Sequence, residues 1–517
     1  MNKRGTLGRA WLILAALALP PAPGAAQGRA APLTVPLAAE EERFAADFDA
    51  FIAASMRRLP MIPALSVAVS RSRGPIFVRA YGEADRERHV RATPHTRFYI
   101  ASSTKSFVAL AFARLAAEGR IDLDWTLAEL APDIAFPPEV RAREVTLRHL
   151  LSHSHGLTVP GIEFRLAYTG QHDRATLWRL LRGARPNPRA PLGSFNYGNL
   201  GYNVAAMLIE RRLGRRWQDL LDELVLRPMR LNETLAQGLA RSRAPRAAPY
   251  ASLAPGGPER LRLAKSDAIL QSAGGIYSSA NDMGRWVALQ LAAERNLNGL
   301  ALPASVVAGT HRPVARMDLR FGPFARTGYG LGWYSGDYRG ETLYHSFGSF
   351  SGARAHTSFL PARDIGVAIT TNDEGAGFIF VDVAATYAYD WFLLGPEAAA
   401  RNAEEALARL ETEAARQTEA FRADRARRAA RTWRLSLPAA AYRGRYCNAE
   451  RGTMIIAGRG AALDVGIGLL RATAEPYTDV DTARVALIPN TGQVFQFTRE
   501  GARITAVRTE GSEFRRC

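Results

Sequence analysis

Ser102 and Lys105 stand three residues apart in Ser102-Ser103-Thr104-Lys105, just ahead of a nearly unbroken apolar run from Phe107 to Ala113. On a helix, positions i and i+3 share a face, so the amine can reach the hydroxyl. So apolar a run predicts a buried helix with both residues on its first turn. There the positive helix end favours a developing alkoxide, and desolvation drives a lysine toward its neutral form. Together these make an activated serine nucleophile. Serine and threonine also open helices as simple caps, and a lone Ser-x-x-Lys arises by chance in a chain this long. Composition weighs against chance. The 67 basic residues include only three lysines, Lys3, Lys105 and Lys265, and Lys3 lies in a leader-like stretch. Arginine cannot give up its proton at ordinary pH and lysine can, so a lysine kept at 105 marks a base.

Two further segments carry usable groups. Tyr197-Gly198-Asn199 follows Gly193 and precedes a helical run from Gly201 to Leu213. The phenol can shuttle a proton, and Asn199 can donate to a substrate carbonyl or cap the next helix. His345-Ser346-Phe347-Gly348-Ser349-Phe350-Ser351-Gly352 sits at the edge of a predicted strand. Glycine there allows close backbone approach, and a strand-edge amide can complete an oxyanion hole; the alternative is a glycine-rich turn.

In this order and at these separations, the three segments resemble the serine hydrolases related to class C β-lactamases and penicillin-binding proteins. The likeness runs from Pro63 to about Asp373. It takes in Thr96–Lys105, Val145–Leu157 with His149-Leu150-Leu151-Ser152-His153, and Ala273-Gly274-Gly275-Ile276 leading to Asp282-Met283. It also takes in Tyr329-Gly330-Leu331-Gly332-Trp333 and Phe359-Leu360-Pro361. The resemblance implies a β-lactamase-like (penicillin-recognising transpeptidase-like) catalytic domain, α/β plus all-α, acting through an acyl-enzyme. Ser102 attacks a carbonyl, Lys105 and Tyr197 share the base and acid roles, the amides of Ser102 and of Gly348 or Ser349 hold the oxyanion, and Asn199 orients substrate. The family's third motif has lysine or histidine two residues before glycine. Here His345 is three before Gly348, Ser346 is two before it, and counting forward to Gly352 favours Ser346 as the equivalent. Substrate contacts are therefore expected from His345 or Ser346 with Gly348 and Ser349. The missing cation turns expectation toward a neutral ester or amide and away from efficient β-lactam hydrolysis. A non-turnover penicillin-binding or peptidoglycan-sensing protein is the alternative reading. His149, His153 and His155 have a spacing that suggests metal, but no acidic residue of a zinc-hydrolase pattern accompanies them. Neither metal nor cofactor is expected.

The elements that must position these groups follow from pattern. Ala38–Arg58 reads as an amphipathic opening helix. Ala64–Ser70 and Ile76–Tyr81 form a hairpin about Gly74-Pro75. A later β-rich stretch comprises Thr342–His345, Ala353–Leu360 and Gly366–Thr371, and the middle, about 107–302, is mostly helical. Strands at both ends of a helical insertion predict one sheet assembled from distant segments, with a cleft where sheet and helices meet. Pro396–Thr432, rich in alanine, glutamate and arginine, predicts a long connecting helix. Short strands from Leu435 onward predict a small all-β barrel-like domain, whose Tyr442-Arg443-Gly444-Arg445-Tyr446 resembles the lipocalin-like domain of some relatives. The expected division is a signal peptide at 1–26, a linker at 27–37, the hydrolase domain at 38–395, a connector at 396–434 and the barrel at 435–517.

Lys3, Arg4 and Arg9, the apolar Ala10–Leu19 and the small residues Gly24-Ala25-Ala26 read as a secretory signal, so the protein is expected in the periplasm or outside the cell. No other stretch reads as a membrane helix. Export argues against nucleic acid as the partner of a chain with formal net charge +18. An arginine-rich coding bias accounts for the charge, which is also compatible with peripheral association with anionic surfaces. The partner expected is a small-molecule or peptide substrate; oligomeric state is not legible. Two cysteines, Cys447 and Cys517, could close a loop of about 70 residues, contributing roughly 4 kcal/mol, or remain free thiols.

Overall fold

The computed structural model describes residues 37–517. The expected leader at 1–26 and the linker up to residue 36 lie outside the described residues. Helix α1 (Leu37–Arg58) buries Phe44, Phe48 and Ile52 at four-residue spacing, which turns one apolar stripe inward. Strands β1 (Ala64–Arg71) and β2 (Gly74–Asp85) form the hairpin, and the short β3 (Val90–Arg91) follows. After the helical middle come β4 (Ala315–Phe321), β5 (Phe324–Tyr329), β6 (Tyr334–Tyr338), β7 (Glu341–Phe350), β8 (Ala353–Leu360) and β9 (Ile365–Thr371). One nine-stranded sheet runs β4-β5-β6-β7-β8-β9-β1-β2-β3. Its centre joins chain ends: β1 pairs antiparallel with β9, Leu65 opposite Thr371. Both strands are buried along their whole length, as a central strand covered on two faces requires.

The helical middle contributes α2 (Thr104–Ala117), α3 (Leu200–Leu213), α4 (Ala280–Glu294) and α5 (Ala304–His311). Phe107, Leu110 and Leu115 of α2 sink into a core shared with Val204 and Leu208 of α3 and with Trp286 and Val287 of α4. On the other face of the sheet lies α6 (Ala376–Leu394). It is the one described helix long and apolar enough to cross a membrane, which corrects the reading that no such stretch exists beyond the leader. Its apolarity has a different cause: β8 and β9 on one side and α1 on the other bury most of it.

The long helix α7 (Pro396–Ala429) follows, then nine short strands between Gly444 and Arg516 that form a second, antiparallel, barrel-like sheet. Cys447 and Cys517 are joined in that sheet, their Cα atoms 5.9 Å apart. The described chain divides into two compact units, one of residues 37–319 and 326–426, the other of residues 320–325 and 427–517.

Candidate active site

The turn that carries Ser102 is built first. Ala101–Ser103 is a single 3-10 turn leading into α2, and Ala101 adopts φ +46°, a strained left-handed conformation for a residue with a Cβ. The turn is pinned from outside: Ile100 N donates to Ile276 O at 3.1 Å, and Thr104 Oγ1 accepts from Gly275 N and Ile276 N, both at 3.1 Å. Ser102 is left partly exposed, while Lys105 is 1% exposed on the first turn of α2.

Lys105 Nζ donates to Ser102 Oγ at 3.0 Å, to Asn199 Oδ1 at 2.8 Å and to Ala273 O at 2.9 Å. Three acceptors match the three N–H bonds of an ammonium. A neutral amine keeps two N–H bonds and gains a lone pair. It can hold Asn199 and Ala273 unchanged while accepting the Ser102 proton, so the site serves both protonation states without rearrangement. The ring of Tyr197 lies 4.9 Å from Nζ. Asn199 does begin α3, yet its side chain makes no cap and turns to Lys105 instead; its backbone N–H donates to Glu163 Oε1 at 2.7 Å.

Strand β7 supplies the third side. A Cβ added to Gly348 would lie 2.0 Å from Ile100 O and 2.8 Å from Ser102 N, so only glycine fits there. Strand residues alternate faces, so Ser346 and Phe350 share the face of Gly348, and His345 and Phe347 take the other. His345 indeed packs on His356 with ring centroids 4.6 Å apart and receives Arg326 Nη2 at Nδ1, 3.3 Å. Burial first, then His356 and the two nearby guanidiniums, push the His345 imidazole well below its usual range. The structure therefore sets Ser346 toward Ser102 and His345 away from it, which corrects the reading of His345 as a substrate contact. Strand β6 pairs with β7 only from Glu341 to His345, so beyond it Ser346–Phe350 borders the site; Ser349 is exposed there.

His345, His356 and Asp382 place three ligand-capable atoms within 4.8 Å of one another. The group already has other work. His356 Nδ1 meets Asp382 Oδ1 and its Nε2 meets Ser358 Oγ, each at 2.6 Å, and Arg354 donates to Asp382 at 3.3 Å. Burial raises the Asp382 carboxyl, but Arg354 and His356 outweigh it and hold it low. Burial also lowers Arg326, to about 10. A dication would add to two buried guanidiniums that a single carboxylate already fails to offset, so the excess positive charge of the cluster opposes a metal ion.

Sequence reasoning missed three contributors. Thr104, unremarked inside the Ser-x-x-Lys pattern, anchors the loop that presents the Ala273 carbonyl. That carbonyl is a main-chain group with no side-chain signature. His153, read as structural, packs its ring 4.6 Å from Tyr197 and meets Tyr329 OH at 3.2 Å. Burial first and the neighbouring Lys105 second push its imidazole well below the ordinary range, so it is a neutral wall behind the phenol. The other histidines of that segment are not gathered into a ligand set: His149 closes a capping box with Thr146, and His155 accepts from Leu157 N.

The sheet, the helical insertion and the serine–lysine pair at their junction define a β-lactamase/transpeptidase-like serine hydrolase scaffold. The chain belongs to the Beta-lactamase family, whose model matches residues 48–388. Among curated proteins it is similar to Protein flp of Staphylococcus aureus (strain MW2), 26% identical over 175 residues, 34% of each chain. It is also similar to the unguisins hydrolase ungD' of Aspergillus campestris, 27% identical over 363 residues, 64% of each chain. The chain thus spans about a third of the length of the staphylococcal proteins and under two thirds of the fungal one. Among solved structures it is similar to the octameric penicillin-binding protein homologue from Pyrococcus abyssi. The TM-score is 0.57 at 19% identity, over 91% of this chain and 99% of that one, a likeness of fold.

Proposed function

We propose that the protein is an exported serine hydrolase that works through an acyl-enzyme on a neutral ester or amide carbonyl, a small molecule or a peptide, with β-lactams the poorer substrates. The observation that carries this reading is the placement of Lys105 Nζ between Ser102 Oγ, Asn199 Oδ1 and Ala273 O. As Ser102 Oγ bonds to the carbonyl carbon, Lys105 takes the hydroxyl proton, and the amides of Ser102 and of Gly348 or Ser349 receive the oxyanion. The bond to the leaving group then breaks, and the proton passes to that group through Lys105 and Tyr197. Water attacks the acyl-enzyme with the same groups in reverse, releasing the acid and restoring Ser102. Asn199 serves first to hold the amine. Ser346, neutral where relatives carry a cation, supports the choice of an uncharged substrate. The leader-like first residues and the joined cysteines suit an oxidising compartment outside the cytoplasm.

A fluorophosphonate probe tests the reading. Label is expected on Ser102, absent in Ser102→Ala, together with sustained hydrolysis of a p-nitrophenyl ester. Label on another serine ends the assignment, and stoichiometric labelling without turnover turns it into the sensor alternative.

A further inference from the structure

Lys265, the chain's other lysine outside the leader-like stretch, has no part in the acyl transfer, yet it is buried. Its Nζ donates to Ala167 O at 2.7 Å and to Ile269 O at 3.3 Å. It also lies 3.7 Å from the ring centroid of Phe350, with the rings of Tyr99 and Tyr168 at 5.7 and 5.9 Å. Among the described residues it has no carboxylate partner. Burial pushes the amine well below its usual range. An apolar side chain would fill such a place at lower desolvation cost. What the lysine adds is geometry: one amine ties together the turn at 165–169, the turn at 267–269, the end of β7, and Tyr99 just ahead of the nucleophile turn.

The end of β7 is where this matters. Phe350 lies on the face of Gly348, and two residues along a strand advance about 6.6 Å. Its ring is therefore the next side chain on the Ser102 side beyond the oxyanion glycine. It stacks edge-on to Tyr99 at 5.8 Å and tilts against Tyr168 at 5.4 Å, and Tyr168 continues to Phe164 at 6.1 Å. All three rings, Phe350, Tyr168 and Phe164, are half-buried. The segment that carries Phe164 also carries Glu163, which holds the Asn199 backbone, so this wall and the catalytic amine share one frame. A group bonded to Ser102 and extending along β7 meets aromatic faces, which reward apolar area and ring stacking.

We propose that Phe350, Tyr168 and Phe164 form the subsite for the acyl group taken up by Ser102, that the subsite selects an apolar or aromatic acyl substituent, and that Lys265 is the positioning residue that fixes its central ring. The proposal rests on the acyl-enzyme reading above and adds the substrate class to it.

The test compares p-nitrophenyl acetate with p-nitrophenyl phenylacetate, which share a leaving group and differ only in the acyl part. The full chain is used, with active sites counted by fluorophosphonate titration. The wild type is expected to favour the phenylacetyl ester by roughly tenfold or more in kcat/KM. Phe350→Ala and Tyr168→Ala should cut that ratio by about tenfold. Lys265→Met, which keeps the stem and removes the amine, should cut it by at least about threefold, through KM for the phenylacetyl ester. A general loss of packing would lower both esters alike and leave the ratio in place. A wild type without preference, or variants that slow both esters by one factor, overturns the subsite. Failure to label Ser102 at all sinks the acyl-enzyme reading instead, so the two failures are separable. Should Lys265→Met not fold, the two aromatic variants still decide.

Discussion

Gly348 and Ser102 meet backbone to backbone: a Cβ on the glycine would stand 2.8 Å from the serine amide nitrogen and 2.0 Å from the Ile100 carbonyl oxygen. The strand proposed to donate to the oxyanion and the turn that carries Ser102 are thus held at a distance no side chain permits. Gly348→Ala must part them by about an ångström or more. The fluorophosphonate labelling rate is expected to fall about 100-fold or more, in line with loss of one oxyanion donor. Thermal stability should fall too, because Ile100 lies in the core. Labelling within a few-fold of wild type would show that the oxyanion hole is formed elsewhere.

The contact of Lys105 with Asn199 makes a second test. Lys105→Arg keeps positive charge but cannot supply a lone pair, and its bulkier planar head does not fit three acceptors set for one nitrogen. Turnover of a p-nitrophenyl ester should drop about a thousandfold. Asn199→Ala removes one acceptor and leaves the amine and its other two partners, so a smaller loss, about tenfold to a hundredfold in kcat, is expected. Full turnover in Lys105→Arg would end the proposed base role.

Position 346 offers a gain of function. Ser346 shares the face of Gly348, so a cation there would reach the carboxylate of a β-lactam lying along β7. Ser346→Lys is expected to raise the acylation rate with a carboxylated cephalosporin about tenfold and to leave a neutral ester little changed. Stopped-flow release of the chromophore measures it. An unchanged rate would mean that a side chain at 346 does not reach the substrate carboxylate.

How much of this could be read from residue order varies by physical cause. The β1–β2 hairpin and α2 were legible because burial imposes a period and local chemistry marks their ends. Strands β4 to β6 were not. The β4 segment Ala315–Phe321 does alternate apolar Ala315, Met317, Leu319 and Phe321 with charged Arg316, Asp318 and Arg320, but it is mostly exposed, so that alternation is not tied to the core, and β6 carries Gly336 and Asp337, poor strand formers. Ser102, Lys105, Tyr197 and Asn199 converge because their types are tied to their chemistry. The Ala273 carbonyl and the Thr104 anchor stayed hidden, since a backbone acceptor and a buried hydroxyl look the same in every sequence. The choice between His345 and Ser346 needed the strand register, in which a shift of one residue reverses the face.

His155 supplies a pH test that does not touch the reacting atoms. Its Nδ1 accepts from the Leu157 N–H at 3.0 Å, and an accepting nitrogen has no place for a proton. Burial drives its pKa down to about 4, against about 6.5 for an unfolded chain. As pH falls through that window the unfolded state takes up a proton that the folded state refuses. The stability His155 contributes is therefore complete above about pH 6.5 and is lost on the way to pH 4, at about 1.4 kcal/mol per pH unit. Other buried histidines, among them His153 and His345, shift the same way, so only a difference between variants isolates one ring. His155→Asn keeps an acceptor for Leu157, since an asparagine side chain reaches the N–H two residues on, and does not titrate. Denaturant unfolding at pH 7 and at pH 5 should show that the variant takes up about one proton fewer on unfolding at the lower pH. Equal pH dependence in the two proteins would mean that the native protein already carries that proton.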